Sequence, residues 1–338
     1  MPLGQMSTEN MTAGHRLLNE VEEAVHRRVV GQDATIQGLL IAVLTGGHVL
    51  LEGLPGLAKT LLVRSLADAM HTTFRRIQFT PDLLPGDVVG IPVYHQGTGE
   101  FRVYKGPIFA NLLLADEVNR APPKVQSALL EAMEEEQVTI DGTTYPLPSP
   151  FLVLATQNPI EQQGTYPLAE AQLDRFMMKL RIEYPRRAEE QKILERVALA
   201  PARRDGEREP EPFAGVAGAS PEAILEARTE LDGVSVDRKI QDYIVNLVFA
   251  TREPASAGLP DLEKLLEFGT SPRATIFLTR AARARAYLEG RDFVLPDDVK
   301  AIAHPVLRHR LRTTYEADAK GIGPDQLIDR LLATVPSP

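Results

Sequence analysis

The stretch Leu50-Leu51-Glu52-Gly53-Leu54-Pro55-Gly56-Leu57-Ala58-Lys59-Thr60 constrains the fold more than any other part of the chain. A short apolar run, His48-Val49-Leu50-Leu51, enters a turn rich in glycine and proline, and Leu61 to Ala67 leaves it with helical spacing. Strand, glycine turn and helix in that order direct backbone N–H groups and a helix N-terminus at an anion, the arrangement that cradles a polyphosphate. Lys59 then falls near the β/γ oxygens and Thr60 near Mg²⁺. The candidate contacts are Gly53, Pro55, Gly56, Leu57, Ala58, Lys59, Thr60 and Leu61. Position 58 departs from the spacing G-x-x-x-x-G-K-T, which calls for glycine there. Its methyl group is tolerable if φ is already negative at the helix start, and that is the expectation.

Apolar runs at 48–52, 74–79, 110–115, 151–156 and 177–183 alternate with helical or turn-rich segments. Near-continuous Leu/Val runs in such alternation predict a parallel five-stranded sheet sandwiched by helices, an α/β domain over residues 15–185. Residues 1–14 read as a flexible N-terminus. Residues 16–44 read as two helices broken apart at Val30-Gly31-Gln32. Two segments exceed plain alternation: 81–106, dense in proline and glycine, and 137–149, where Asp141-Gly142 marks a hairpin turn. Both read as insertions. Residues 201–215 read as an exposed loop.

Residues 186–338 read as an all-α domain. Ser220-Pro221 and Ser271-Pro272 each place an N-cap serine before a proline at the first helical position, and Gly290 suits a helix C-cap. Ile240, Tyr243, Ile244, Leu247 and Val248 form one apolar stripe; Ile276, Phe277, Arg280, Ala284 and Tyr287 form part of another.

The 338 residues carry a net charge of −9, with an isoelectric point near 5.4. That balance argues against broad nucleic-acid binding. There is no cysteine, hence no disulfide and no thiolate chemistry. The opening Met1 to Gly14 lacks the apolar core of a signal peptide. The longest aliphatic run, Leu39 to Leu44, is far short of the ~20 residues of a membrane span. A cytoplasmic protein without direct membrane insertion is expected.

Asn111 to Ala115 is an aliphatic strand that ends in two adjacent carboxylates, Asp116 and Glu117. Consecutive strand residues face opposite sides, so the two can do separate work. Asp116 is expected to hold Mg²⁺ through water beside Thr60, and Glu117 to act as general base on a water attacking a γ-phosphate. A second strand, Leu152 to Gln157, runs into Asn158, which could orient the same water. Arg175, before the last strand, has the planar fork that suits a phosphate gaining charge, with a plain surface pair to Asp174 as the alternative. Arg273 stands in the first turn of a capped helix, where a cation opposes the helix dipole by ~0.3–1 kcal/mol unless it faces an anion.

Together these motifs resemble the MoxR family of AAA+ ATPases over roughly residues 15–335. Gly53 to Thr60 is similar to that family's phosphate loop, which commonly carries alanine before the lysine. Leu112 to Met133 resembles its Walker B strand and the helix after it. Ala155 to Pro159 resembles sensor 1, Gly164 to Phe176 its arginine-finger segment and Ser271-Pro272-Arg273 its sensor 2. The resemblance implies Mg²⁺-dependent ATP hydrolysis, with Val30, Gly31 and Gln32 lining the adenine site. It also implies a ring, a hexamer, in which Arg175 reaches the neighbour's ATP. Both insertions would face the axial channel. Partners of such proteins carry von Willebrand factor A domains, and their clients are protein complexes undergoing maturation or metal-cofactor loading.

Two other readings stay open: a chelatase-type motor subunit, and a nucleotide-switched binding module with little turnover. His48, His71, His95 and His304 have no ligand spacing and read as packing or surface residues. Arg280, Arg283 and Arg285 share one helix and offer either a contact surface or a solvated face. Phe101 and Tyr104, in the first insertion, would meet a substrate if exposed.

Overall fold

The computed structural model describes residues 12–54, 56–157, 165–199 and 217–338. Helices α1 (Ala13–Arg28) and α2 (Asp33–Thr45) precede strand β1 (Val49–Glu52), and α3 (Lys59–Ala69) leads to β2 (Phe74–Gln78). A short helix α4 (Pro85–Val89) opens the first insertion, which continues as β3 (Gly90–His95) and β4 (Glu100–Lys105). Then follow β5 (Leu112–Asp116), α5 (Pro123–Glu135), the hairpin β6 (Gln137–Ile140) and β7 (Thr143–Pro146), and β8 (Leu152–Gln157). The short α6 (Glu170–Leu173), β9 (Met178–Arg181) and α7 (Arg187–Val197) complete this half.

The main sheet has the order β2-β5-β8-β1-β9. The pairs β2/β5, β5/β8 and β1/β8 are parallel. Leu50, Leu51, Leu113, Leu114, Val153 and Leu154 are buried completely, which is why these strands read as unbroken aliphatic runs rather than alternating ones. Register places the carboxyl ends side by side: Gln78 opposite Asp116, Ala115 opposite Ala155, and Glu52 opposite Gln157. In open parallel sheets that edge is where ligands bind.

Both insertions form antiparallel ribbons, β3 with β4 and β6 with β7. Of the two placements its isolation in the sequence left open, His48 takes the core one: Nδ1 accepts from Val153 N–H at 3.0 Å and Nε2 donates to the Met133 carbonyl at 2.9 Å.

The remaining elements are α8 (Pro221–Glu230), α9 (Arg238–Arg252), β10 (Leu266–Phe268), α10 (Pro272–Leu288), α11 (Pro296–Leu307), β11 (Arg312–Thr313), α12 (Tyr315–Ala319) and α13 (Pro324–Thr334). This part is helical, apart from the small antiparallel ribbon β10–β11. Two compact units result. The described residues 12–16, 169–179 and 226–338 form a helical unit; 17–168 and 180–225 form the α/β unit.

The α9 stripe is buried as expected, with Tyr243, Ile244, Leu247 and Val248 each at 2% exposure or less. On α10 the expected stripe holds in its second half, where Ala284 and Tyr287 are buried, and fails in its first. Ala274, Leu278, Ala281, Ala282 and Tyr287 point inward, whereas Ile276 is 49% exposed and Arg280 is exposed. Alanines carry much of the packing because small side chains let helices approach closely, so the large apolar Ile276 was a poor guide to the buried face. Arg283 donates to the Leu231 and Val234 carbonyls and Arg285 pairs with Asp298, so neither shares an open surface with Arg280. Among the described residues, no helix is long and apolar enough to cross a membrane.

Candidate active site

A cavity of about 370 Å³ opens in the α/β unit at the carboxyl end of the sheet, lined by Gly56 to Thr60, Arg76, Gln78, Asp116, Glu117 and Thr156. The loop between β1 and α3 thus meets the ends of β2, β5 and β8, brought together by the strand order. Gly56 has φ 85 and Ala58 has φ 55, ψ 26. The expectation of a negative φ at Ala58 is therefore wrong. The residue is the left-handed N-cap of α3, a backbone that turns the chain into the helix while its carbonyl accepts from Leu62 N–H at 2.9 Å.

Lys59 Nζ donates to the carbonyls of Gly53 at 2.6 Å and Leu54 at 3.1 Å, so the ammonium closes the loop on itself. Burial lowers its pKa, opposed by the charges of Asp116 and Glu117. Thr60, in the first turn of α3, lines the same cavity, and Leu61 is 38% exposed. Pro55 lies outside the described residues.

The two carboxylates are held by side chains that are distant in sequence. Asp116 Oδ2 accepts from Arg76 Nε at 3.0 Å and Nη2 at 2.5 Å, while Oδ1 accepts from Thr156 Oγ1 at 2.5 Å. The same Thr156 hydroxyl accepts from Glu117 N–H at 2.8 Å. Thr156, 1% exposed, therefore spaces both acids. Glu117 adopts φ 56, ψ 50, so the chain turns as it leaves the sheet. Glu117 Oε2 accepts from Gln78 Nε2 at 2.9 Å and lies 2.9 Å from Arg120 Nε. Arg76, Gln78 and Thr156 were not singled out by sequence. The signal available was an exposed-edge strand ending Arg-Arg-Ile-Gln, but nothing local ties it to an acid 40 positions on.

The donor set suits Mg²⁺. One carboxylate and one hydroxyl, Asp116 and Thr60, share a roomy polar cavity, and Mg²⁺ takes few protein ligands while keeping waters and phosphate oxygens. Among the described residues, no cluster of three or more His, Cys, Asp or Glu could form an all-protein metal cage.

At Val30-Gly31-Gln32 the chain turns sharply: Gly31 has φ 69, and Gln32, at φ 62, is the N-cap of α2. Gln32 Nε2 donates to the Glu183 carbonyl at 2.9 Å, and Thr35 Oγ1 donates to Gln32 Oε1 at 3.2 Å. The positive φ favours glycine, and a Cβ on Gly31 would stand 2.7 Å from the Glu189 carboxyl carbon and push that side chain aside. Asn158 lies outside the described residues. Arg175 and Arg273 both belong to the helical unit. Arg273 N–H donates to the Ser271 side chain at 3.1 Å, the N-cap bond read from the sequence.

Residues 48–178 match the family model described as ATPase family associated with various cellular activities (AAA), and residues 262–331 match an AAA lid domain. Chaperone MoxR1 of Mycobacterium tuberculosis is 46% identical over 98% of this chain and 85% of its own length. The chain belongs to the MoxR family of AAA+ ATPases. Protein MoxR of Methylorubrum extorquens is 36% identical over 100% of this chain and 98% of its own length. A crystal structure of a candidate ATPase from Cytophaga hutchinsonii superposes with a TM-score of 0.88 at 49% identity, covering 96% of this chain and 95% of that one. The AAA module is thus followed by a lid, here the region of β10 to α13.

Proposed function

We propose that this MoxR-family protein hydrolyses ATP with Mg²⁺ as part of a ring of identical copies, a hexamer, and uses the cycle to remodel client protein complexes. The observation that carries this reading is the meeting of Lys59, Thr60, Asp116 and Glu117 around one cavity at the sheet's carboxyl edge. Backbone N–H groups of Gly56 to Lys59 and the N-terminus of α3 receive the phosphates. Lys59 Nζ exchanges the Gly53 and Leu54 carbonyls for phosphate oxygens, which offer it full negative charge in place of a dipole. Thr60 and Asp116 would hold Mg²⁺, which would supply positive charge against the phosphates.

Glu117 is the base. Its carboxylate stands in the cavity, turned there by the left-handed backbone. Gln78 and Arg120 hold its Oε2, which orients the carboxylate and leaves Oε1 to take the proton of an attacking water. Asn158 orients the water, Val30 to Gln32 receive the adenine, and Arg175, reaching from the neighbouring copy, stabilises charge on the γ-phosphate. Arg273 reports the state of the nucleotide to the lid. A partner with a von Willebrand factor A domain couples the ring to the client, whose maturation or metal loading is the outcome, in the cytoplasm.

Glu117→Gln keeps the shape of the site and removes the base. It should bind ATP with wild-type affinity and hydrolyse it ~10²–10⁴-fold more slowly. Turnover within a few-fold of wild type would remove Glu117 from this role. The same variant, loaded with ATP, is the bait for the von Willebrand factor A partner, since it holds the ring in its nucleotide-bound state.

A further inference from the structure

Asp174 does more than a plain surface pair would: its carboxylate is gripped from two sides within the helical unit. Arg310 Nε donates to Oδ1 at 2.8 Å and Ser271 Oγ donates to Oδ2 at 2.7 Å. The Arg310 side chain is only 1% exposed. Its Nη2 donates to the carbonyls of Asp174 at 2.9 Å and Phe176 at 2.6 Å, and its Nη1 to the carbonyls of Met177, at 3.1 Å, and Val306. Five N–H groups thus meet five oxygens, the full capacity of a guanidinium. Three of the carbonyls, at 174, 176 and 177, flank Arg175 on both sides.

The cap of α10 joins the same knot. Ser271 Oγ accepts from Arg273 N–H while donating to Asp174, so one hydroxyl links the two arginine-bearing segments. Burial brings the Arg310 pKa down to about 10 against the pull of Asp174, and the positive charge of Arg273 acts in the same direction as burial. His309, whose Nε2 is 2.9 Å from the Phe176 carbonyl, stays neutral because burial and the Arg310 charge push its pKa well down. A buried ion pair of this kind is weak at adding stability, since apolar replacements often do as well or better. What it does supply is a fixed geometry.

We propose that Arg310 is a positioning residue for phosphoryl transfer: through Asp174 and Ser271 it fixes the backbone around Arg175 to the helix cap that carries Arg273. The proposal rests on the reading of Arg175 as a phosphate-facing group. Without the clamp, Arg175 keeps its charge and loses its angle. A misplacement of about 1 Å costs on the order of 10²-fold in rate.

The test uses the full chain with Asp174→Asn, which keeps the shape and removes the charge, and Arg310→Lys as the second variant. Turnover is measured alongside ATP affinity, the latter by equilibrium titration in the Glu117→Gln background. The expected result is a kcat lower by about 10- to 100-fold, ATP affinity within about 2-fold, and no further loss when Asp174→Asn is combined with Arg175→Ala. Losses that multiply in the double variant, or a wild-type kcat for Asp174→Asn, overturn the clamp while leaving Arg175 in its role. A wild-type kcat for Arg175→Ala alone overturns the reading of Arg175, and the clamp with it. Should Arg310→Lys fail to fold, Asp174→Asn decides alone.

Discussion

Ala58 shows how a single residue can satisfy a motif by a route the motif does not advertise. Glycine is expected there because the loop turns with positive φ, and the alanine does turn that way, at φ 55. Holding an L-residue in the left-handed region costs roughly 1–2 kcal/mol relative to glycine. The methyl is exposed, so packing returns little of that. Ala58→Gly should relieve the strain, and greater freedom of the unfolded chain should cancel roughly 0.4–1 kcal/mol of the gain. The net outcome is unchanged or slightly higher stability, by up to about 1.6 kcal/mol, read from chemical denaturation of the nucleotide-free protein. A loss of more than about 1 kcal/mol would mean that the methyl makes contacts its exposure does not suggest. At this scale the sequence disclosed the residue types but not their conformation, because φ at position 58 depends on how the whole loop is anchored.

The elements divide into those that fold for the core and those that face outward. Phe79, at the end of β2, is 0% exposed, whereas Phe101 on β4 is 68% exposed, Tyr104 58%, Tyr94 52% and Ile91 51%. Tyr94 and Phe101 pair with ring centroids 5.3 Å apart, a contact confined to the ribbon. Phe79→Ala should therefore cost ~3–5 kcal/mol of unfolding free energy, and Phe101→Ala less than about 1 kcal/mol, both measured by denaturant titration. Equal costs would show that the ribbon is part of the folding core. An exposed apolar patch of this kind marks a contact surface, and under the proposed function a client would be its occupant. The main-sheet strands were legible because burial on both faces leaves only aliphatic residues in them. The ribbon β10–β11 was not, since three residues opposite two are too short for any period to show. Likewise Arg310 is 136 positions from Asp174, and no local pattern marks a lone arginine as a buried partner.

For the molecule as a whole, the decisive question is whether one copy contains a complete catalytic set. Glu117 lies in the α/β unit and Arg175 in the helical unit. If Arg175 serves the ATP of the next copy, each site draws Glu117 from one subunit and Arg175 from its neighbour. Glu117→Gln and Arg175→Ala would then each inactivate a uniform ring for different reasons. Mixed in equal amounts under conditions where rings exchange subunits, the two inactive proteins should regain activity. A site is complete only where an Arg175→Ala subunit, which still has its base, is followed by a Glu117→Gln subunit, which still has its arginine. Random assembly in a cyclic ring makes that about one interface in four, so the mixture should reach roughly a quarter of wild-type turnover per site if interfaces act independently. If Arg175 acts within its own subunit, no mixture contains a complete site, and activity stays at the level of the separate variants. Recovery on mixing, measured by phosphate release across a range of mixing ratios, is therefore evidence of catalysis shared across an interface. A maximum at equal proportions is the pattern that sharing requires, because the product of the two fractions peaks there.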